Sequence, residues 1–273
     1  MNAAPRIELI QVTPETAREW LGFNTRNRSL RPRITAAYAA DMKAGDWQVN
    51  GDAIKFAADG RLLDGQHRLA AVIEAGVTVP VLVARGLPDE AQDTYDAGFK
   101  RSFSDALGLR GEAYAKDLAA ITRRVTIWQQ TGTVQGRTNM LPTNAQQFRT
   151  LEQVPSLREI TKAASYVADH CDLTASVAGL CMWLFLGLPD AADDVTFFFD
   201  RLGDFQGLSA GDPVYELRRA LERARSERRH RSETQLTGLT IKAWNLYRRG
   251  EQSPSPLTFR MGGGRPEAIP EPQ

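Results

Sequence analysis

The chain has 273 residues, with 34 lysines and arginines against 33 aspartates and glutamates, for a formal net charge of +1. Hydrophobic residues at 42% and charged ones at 25% exclude a chain that is disordered throughout, and the charge balance excludes a histone-like polycation while leaving room for a local basic patch. The length suits one large domain or two of ordinary size. Two cysteines, Cys171 and Cys181, make no disulfide framework and predict a reducing, cytoplasmic setting. The start MNAAPRIELIQV lacks the basic opening and long apolar stretch of a signal peptide. The longest nearly unbroken apolar run, residues 175–188, falls short of a membrane span and predicts a buried core helix.

In chain order, residues 7–12 predict a strand, and Thr13-Pro14-Glu15 opens a helix with Thr13 as N-cap and Pro14 in the first helical position. Ile34, Ala37, Tyr38 and Met42 fall at helical spacing, with Gly45 as the stop. Residues 53–57 and 61–63 predict two strands joined at Asp59-Gly60, a strong hairpin signal. A helix over 66–75 and an apolar strand over 79–84 follow. Beyond residue 110 nearly every segment has helical periodicity: 113–130, 144–151, 156–170, 174–187, 190–202, 213–229 and 234–248, with Pro142, Pro155, Pro189 and Asp212-Pro213 as punctuation. From Glu251 the chain is rich in proline and glycine and predicts an extended, loose tail. The expected organisation is an α/β domain over 1–110, an α-helical domain over 111–250 and a tail over 251–273, α+β overall.

Chemistry concentrates at Asp64-Gly65-Gln66-His67-Arg68-Leu69-Ala70. A hairpin delivers the chain to Gly65 and a helix starts at once, so unpaired N–H groups and a partial positive charge face an anion there. Gly65 lets a phosphate approach the backbone, His67 and Arg68 add donors, and Arg68 brings the fork that suits phosphate oxygens. Gln66 places a polar side chain on the stripe of Leu69 and Ile73. From spacing alone, the competing reading is a helix capped by Asp64 with Gln66, His67 and Arg68 in solvent.

This string, after a hairpin and before the strand ending Val83-Ala84-Arg85-Gly86, resembles the ParB/sulfiredoxin superfamily, and more narrowly the ParB-like nuclease-domain proteins of bacteria and their phages. The resemblance covers roughly residues 6–110, with only the general layout shared beyond. It implies that the Gly-x-x-Arg turn binds the phosphates of a nucleoside triphosphate, ATP or CTP, through Gly65, Gln66, His67 and Arg68. Gln66 stands where sulfiredoxins have a reactive cysteine and partition proteins usually a glutamate, which argues against sulfiredoxin chemistry and against a glutamate-dependent hydrolysis. A second helix start at Lys100, Arg101 and Ser102, behind Asp96 and Gly98, looks like the segment that closes over the nucleotide. Asp64 and Asp96 are the candidate Mg²⁺ ligands and, with Gln66, the candidate catalytic set. Arg31 and Arg33 stand in the place of an arginine-rich segment that contacts DNA or nucleotide.

The densest cationic stretch is 218–231, seven arginines with His230 against Glu216, Glu222 and Glu227. Arg218, Arg225, Arg228 and Arg229 are the candidate DNA contacts, with helix-surface pairing to glutamate as the alternative. Three other signals carry less. Gly207-Leu208-Ser209-Ala210-Gly211 has a nucleophile-elbow pattern without a preceding strand, and His170-Cys171 has no second ligand pair at zinc spacing. Phe197, Phe198, Phe199 and the tryptophans Trp128, Trp183 and Trp244 look like bundle core. There is no P-loop string. The expected function is nucleotide binding with hydrolysis or phosphoryl transfer coupled to DNA. The alternatives are a metal-dependent DNase, a non-catalytic DNA-associated regulator, whose phosphorothioation-repressor relatives share Asp-Gly-Gln-His-Arg, or a small-molecule kinase. Self-association stays open.

Overall fold

The computed structural model describes residues 4–25, 27, 29–88, 102–133, 141–226, 232–260 and 267–273. They form two compact units, one of residues up to 101 with 139–146, the other of 102–138 with 147–273. The boundary therefore falls earlier than the expected residue 110, and a later piece of chain returns to the first unit, where the Thr143 hydroxyl donates to Asp41 Oδ1 at 2.6 Å.

In the first unit the order is β1 (Arg6–Val12), α1 (Pro14–Leu21), α2 (Pro32–Lys43), β2 (Ala53–Ala57), β3 (Leu62–Asp64), α3 (Gln66–Ala75) and β4 (Val79–Leu87). Thr13 caps α1, its hydroxyl accepting the Thr16 N–H at 3.2 Å, and Pro14 fills the first helical position. The sheet order is β1-β4-β2-β3: β4 runs antiparallel to β1 and parallel to β2, and β3 returns antiparallel to β2. The parallel pair needs a crossover, and α3 supplies it. β4 runs three residues past the expected 79–84 because Arg85 still pairs with Arg6 and Leu87 with Ala57.

One face of this sheet makes the core. Val12, Ile54, Phe56, Leu62, Val79, Val81 and Val83 pack under Ala17 and Trp20 of α1, Ala39 and Met42 of α2, and Leu69, Ala71 and Val72 of α3. The Trp20 and Phe56 rings meet edge to face at 5.3 Å, and the Arg85 guanidinium lies over both, 5.0 Å and 4.5 Å from their centres. The period of two sends Lys55 away from Ile54 and Phe56. The ladder slips beside Lys55 towards both β3 and β4, a bulge that re-aims the strand at that point.

The second unit is helical: α4 (Phe103–Leu109), α5 (Ala115–Thr131), α6 (Asn144–Gln153, which carries the boundary), α7 (Leu157–His170), α8 (Ala175–Leu186), α9 (Ala192–Asp204), α10 (Pro213–Ser226) and α11 (Glu233–Arg248). The architecture is thus mixed α and β, with the strands among the described residues all in the first unit. Among the described residues no helix is long and apolar enough to cross a membrane. The apolar run that starts at Ala175 is α8, buried along most of its length. Its Gly179 is dictated by packing, since a Cβ there would stand 2.5 Å from Ile121 Cδ1. The Phe185 ring stacks on Trp244 at 4.3 Å, with Phe198 edge-on to both.

The tail corrects the expectation of a loose extension. Leu257 and Phe259 are buried in the helical core. Side chains of α11 bind tail backbone: Gln235 donates to the Phe259 carbonyl, Lys242 to Thr258 and Asn245 to Glu271, while the Gln273 N–H donates back to Asn245. Proline and glycine spare this segment a helix; two apolar anchors and a row of amide and ammonium donors tie it down. Gly238 is the receiving surface, for a Cβ there would lie 2.7 Å from the Phe259 ring.

α5, α8 and α11 share one buried charge. Arg124 pairs with Glu233, whose carboxylate also accepts the Ser176 hydroxyl at 2.7 Å. Burial works to raise the Glu233 pKa, but the Ser176 hydroxyl and the Arg124 guanidinium outweigh it and hold the group below its ordinary value. A carboxyl with a depressed folded pKa stabilises the fold above its ordinary pKa, and that contribution disappears as pH falls through the folded value.

Two predictions follow from the helical unit. Gly238→Ala should displace the Phe259 ring and cost about 1–3 kcal/mol in chemical denaturation. Combined with Phe259→Ala, it should cost less than the two single losses added, because the clash has gone; strict additivity would show that the ring does not rest on Gly238. Glu233→Gln should be less stable than the parent at neutral pH and converge with it as pH falls below the ordinary carboxylate range. A constant difference across that range would remove Glu233 from the acid response.

Candidate functional site

The junction of β3 and α3 carries the Asp-Gly-Gln-His-Arg string. Gly65 is the N-cap of α3 at φ 106°, ψ 6°, in the left-handed region that L side chains rarely adopt. A Cβ there would lie 2.9 Å from Ile54 Cγ1 and 3.1 Å from the Ile54 Cα. The close approach that requires glycine is therefore to β2, a reason the sequence alone did not give. No side chain caps the helix, and its first turn holds no acid, so Asp64 is not the cap that the competing reading expects.

That reading also puts the next three side chains in solvent, and here the structure overturns it. Gln66 is 4% exposed, and its carbonyl oxygen accepts the Asn24 amide at 2.9 Å. Asn27 donates to Asn24 Oδ1 and to the Leu62 carbonyl, both at 2.8 Å. His67 is buried, and its Nε2 accepts the Arg31 backbone N–H at 3.0 Å, which leaves Nδ1 as the ring's donor atom. The loop between α1 and α2 is thereby fastened to the start of α3. Exposed Arg31, the last residue of that loop, makes the contact through its backbone, and exposed Arg33 follows in the first turn of α2.

Arg68 points elsewhere. Its side chain is only 12% exposed, and Nη2 reaches Asp64 Oδ2 at 3.2 Å. Lys55 approaches the same carboxylate oxygen at 3.4 Å. Arg68 Nη1 is fully buried and has no hydrogen-bond partner among the described residues. Leaving a buried guanidinium N–H unsatisfied is costly, and a charged acceptor is the group that relieves it best. The string thus divides into an inward polar lock made by Gln66 and His67 and a cationic corner made by Lys55, Asp64 and Arg68.

Asn24, Asn27 and Lys55 belong to this site although sequence reasoning passed over them. Alternation in β2 carried a signal for Lys55, the one charge in Ala53-Ile54-Lys55-Phe56-Ala57. For the asparagines there was only the polar run after α1. Of the other candidates, Asp96, Lys100 and Arg101 lie outside the described residues. Ser102 belongs to the second unit and caps α4: its hydroxyl accepts the Asp105 N–H at 3.2 Å and its own backbone N–H donates to Asp105 Oδ2 at 2.8 Å, a full capping box.

The basic helix needs a correction at Arg218. Its Nη1 donates to the Leu202 and Gly203 carbonyls at 2.7 Å and 2.9 Å, and Nη2 to the His170 carbonyl at 2.9 Å. It closes the C-terminal ends of α9 and α7, and its guanidinium lies over the Phe205 ring at 4.7 Å. A side chain engaged in this way holds helices together and is not available to a phosphate backbone. The Arg225 side chain and the whole of Arg228 and Arg229 lie outside the described residues.

The signals set aside from sequence fare as follows. Residues 207–211 form a loop, and Asp212 behind them accepts the Val214 N–H at 2.8 Å. Burial pushes Cys171 up to about 11 and Cys181 up to about 12, which keeps both as thiols at neutral pH. Among the described residues no group of three His, Cys, Asp or Glu could hold a metal ion. No protein-family model, curated protein or solved structure matches the chain.

Gly65→Ala should cost about 2–4 kcal/mol, from the positive φ and the contact with Ile54 together. The denaturation midpoint measures it. A midpoint equal to that of the parent would mean that β2 yields and that the junction is not fixed by this contact.

Proposed function

We propose that the first unit binds the phosphate group of a nucleotide at the β3–α3 junction, with Arg68 as its main ligand. One observation carries this reading: a largely buried guanidinium with one fully buried N–H group and no acceptor for it among the described residues, standing nearly one turn into a helix whose start has no side-chain cap. Lys55 adds a second cation at hydrogen-bond range of the same carboxylate. Helix N-terminal N–H groups and an arginine fork are a chemistry suited to phosphate oxygens. The resemblance of residues 6–110 to the ParB/sulfiredoxin superfamily points to the same ligand class, ATP or CTP.

Two parts of the wider expectation draw less support. Mg²⁺ at Asp64 does not fit the residues: the carboxylate already lies between Lys55 and Arg68, and a cation would have to displace one of them. Gln66 has no proton to exchange at neutral pH, and its carbonyl already accepts the Asn24 amide. The geometry supports binding further than it supports hydrolysis or phosphoryl transfer, so a nucleotide-responsive binding module is the reading we put first. Coupling to DNA, if it uses α10, proceeds without Arg218.

Titration calorimetry with ATP and CTP tests this. Arg68→Ala should lose at least about tenfold in affinity, the range of a charge-assisted hydrogen bond, and His67→Ala should retain more affinity than Arg68→Ala. Parent-like affinity in Arg68→Ala, with circular dichroism confirming its fold, would dismiss the assignment.

A further inference from the structure

β1 is the outermost strand of the sheet. It pairs with β4 on one side and, among the described residues, with no strand on the other. Edge strands in natural proteins are commonly blunted by charged side chains, lysine above all, by proline or by a bulge. β1 (Arg-Ile-Glu-Leu-Ile-Gln-Val) has no lysine, proline or bulge, only the two opposite charges Arg6 and Glu8, and its register to β4 is unbroken over seven residues. Alternation sends Ile10 and Val12 to the helix-covered core, while Ile7 and Leu9 stand on the opposite face, 70% and 61% exposed. An open edge and two bare aliphatic side chains on one short strand make a surface ready for another strand.

We propose that β1 pairs antiparallel with β1 of a second copy of this chain, about a two-fold axis at Ile7, joining two four-stranded sheets into one. The strand's own charges select the occupant and the register. With the axis at Ile7, Arg6 of each copy faces Glu8 of the other, and the two Ile7 side chains meet. An axis at Glu8 would set the two glutamates face to face. An axis at Leu9 would leave Arg6 opposite Val12 and Glu8 opposite Ile10. Only the first arrangement answers both charges, and it gathers Ile7 and Leu9 of both copies into one apolar strip. A single strand pair buries less surface than a standard interface, so the dimer forms and dissociates with concentration.

Sedimentation velocity of the full chain from micromolar to millimolar concentration tests this, with three samples. The parent should shift from monomer to dimer. Arg6→Glu and Glu8→Arg each make every cross-strand charge pair alike, and each should weaken association at least about tenfold. Mixing the two variants restores opposite charges at every pair and should restore a dimer of parent-like strength, detectable as a heterodimer by native mass spectrometry. That last result cannot come from the Arg6–Glu8 contact of 3.2 Å within one copy. A parent that stays monomeric, a dimer indifferent to both substitutions, or two variants that ignore each other on mixing would each overturn the proposal. None of these readings depends on nucleotide.

Discussion

The polar geometry of the first unit depends on the backbone at Gly65. β3 packs directly on β2, and the chain must enter α3 within one residue while lying against Ile54. Only a residue without a Cβ passes there, and its positive φ sets the direction in which α3 leaves the sheet. From that direction the next three side chains take separate routes. Gln66 and His67 turn inward and find partners on the loop that follows α1, and Arg68, nearly one turn on, swings back over Asp64. A larger residue at 65 would disturb all of these contacts together, because none has its own means of adjusting to a moved helix.

The inward pair also ties the described residues of the loop between α1 and α2 to the β3–α3 junction. Asn27 donates to the Leu62 carbonyl, Asn24 to Gln66, and the Phe23 carbonyl accepts the Leu62 N–H at 3.0 Å. These bonds satisfy groups that the short β3 strand would otherwise bury unpaired. The arrangement leaves Lys55, Asp64 and Arg68 as a separate corner with one net positive charge. Lys55 and Asp64 stand directly opposite one another in the β2–β3 ladder, so strand register brings the ion pair together, and the ladder slips only after this pair.

Much of this was legible in the sequence, and the part that was not has a common cause. β1, the Thr13 cap, the β2–β3 hairpin and α3 follow from local pattern and turn chemistry, which residues a few positions apart decide. The strand order β1-β4-β2-β3 does not, since nothing local tells β4 to lie between β1 and β2. The tail misled for a related reason: its proline and glycine speak only of local conformation, whereas Leu257 and Phe259 find their places on helices far away in the chain. The string at 64–68 was visible as a motif, yet the partners that bury Gln66 and His67 lie 42 and 36 residues upstream. Spacing along α3 could place these side chains on a face; it could not say that a loop would cover that face.

Arginine illustrates how burial converts a charge count into function. Arg218, Arg124 and Arg68 are indistinguishable as letters, and the first sits in the densest basic run of the chain. Arg218 has carbonyls for both terminal nitrogens, so removing its charge from water is compensated within the fold and it acts as scaffold. Arg124 is paired with Glu233 but keeps Nε buried without a partner among the described residues. Its carboxylate partner is supplied by the fold itself, and the remaining deficit at Nε is a cost that the fold carries. Arg68 has the same kind of deficit in a different place, beside a second cation and at a helix start where donors already point outward from the sheet. An unsatisfied buried donor points to a ligand only where the neighbouring groups favour the same ligand, and it is on that ground that the phosphate proposal rests on Arg68.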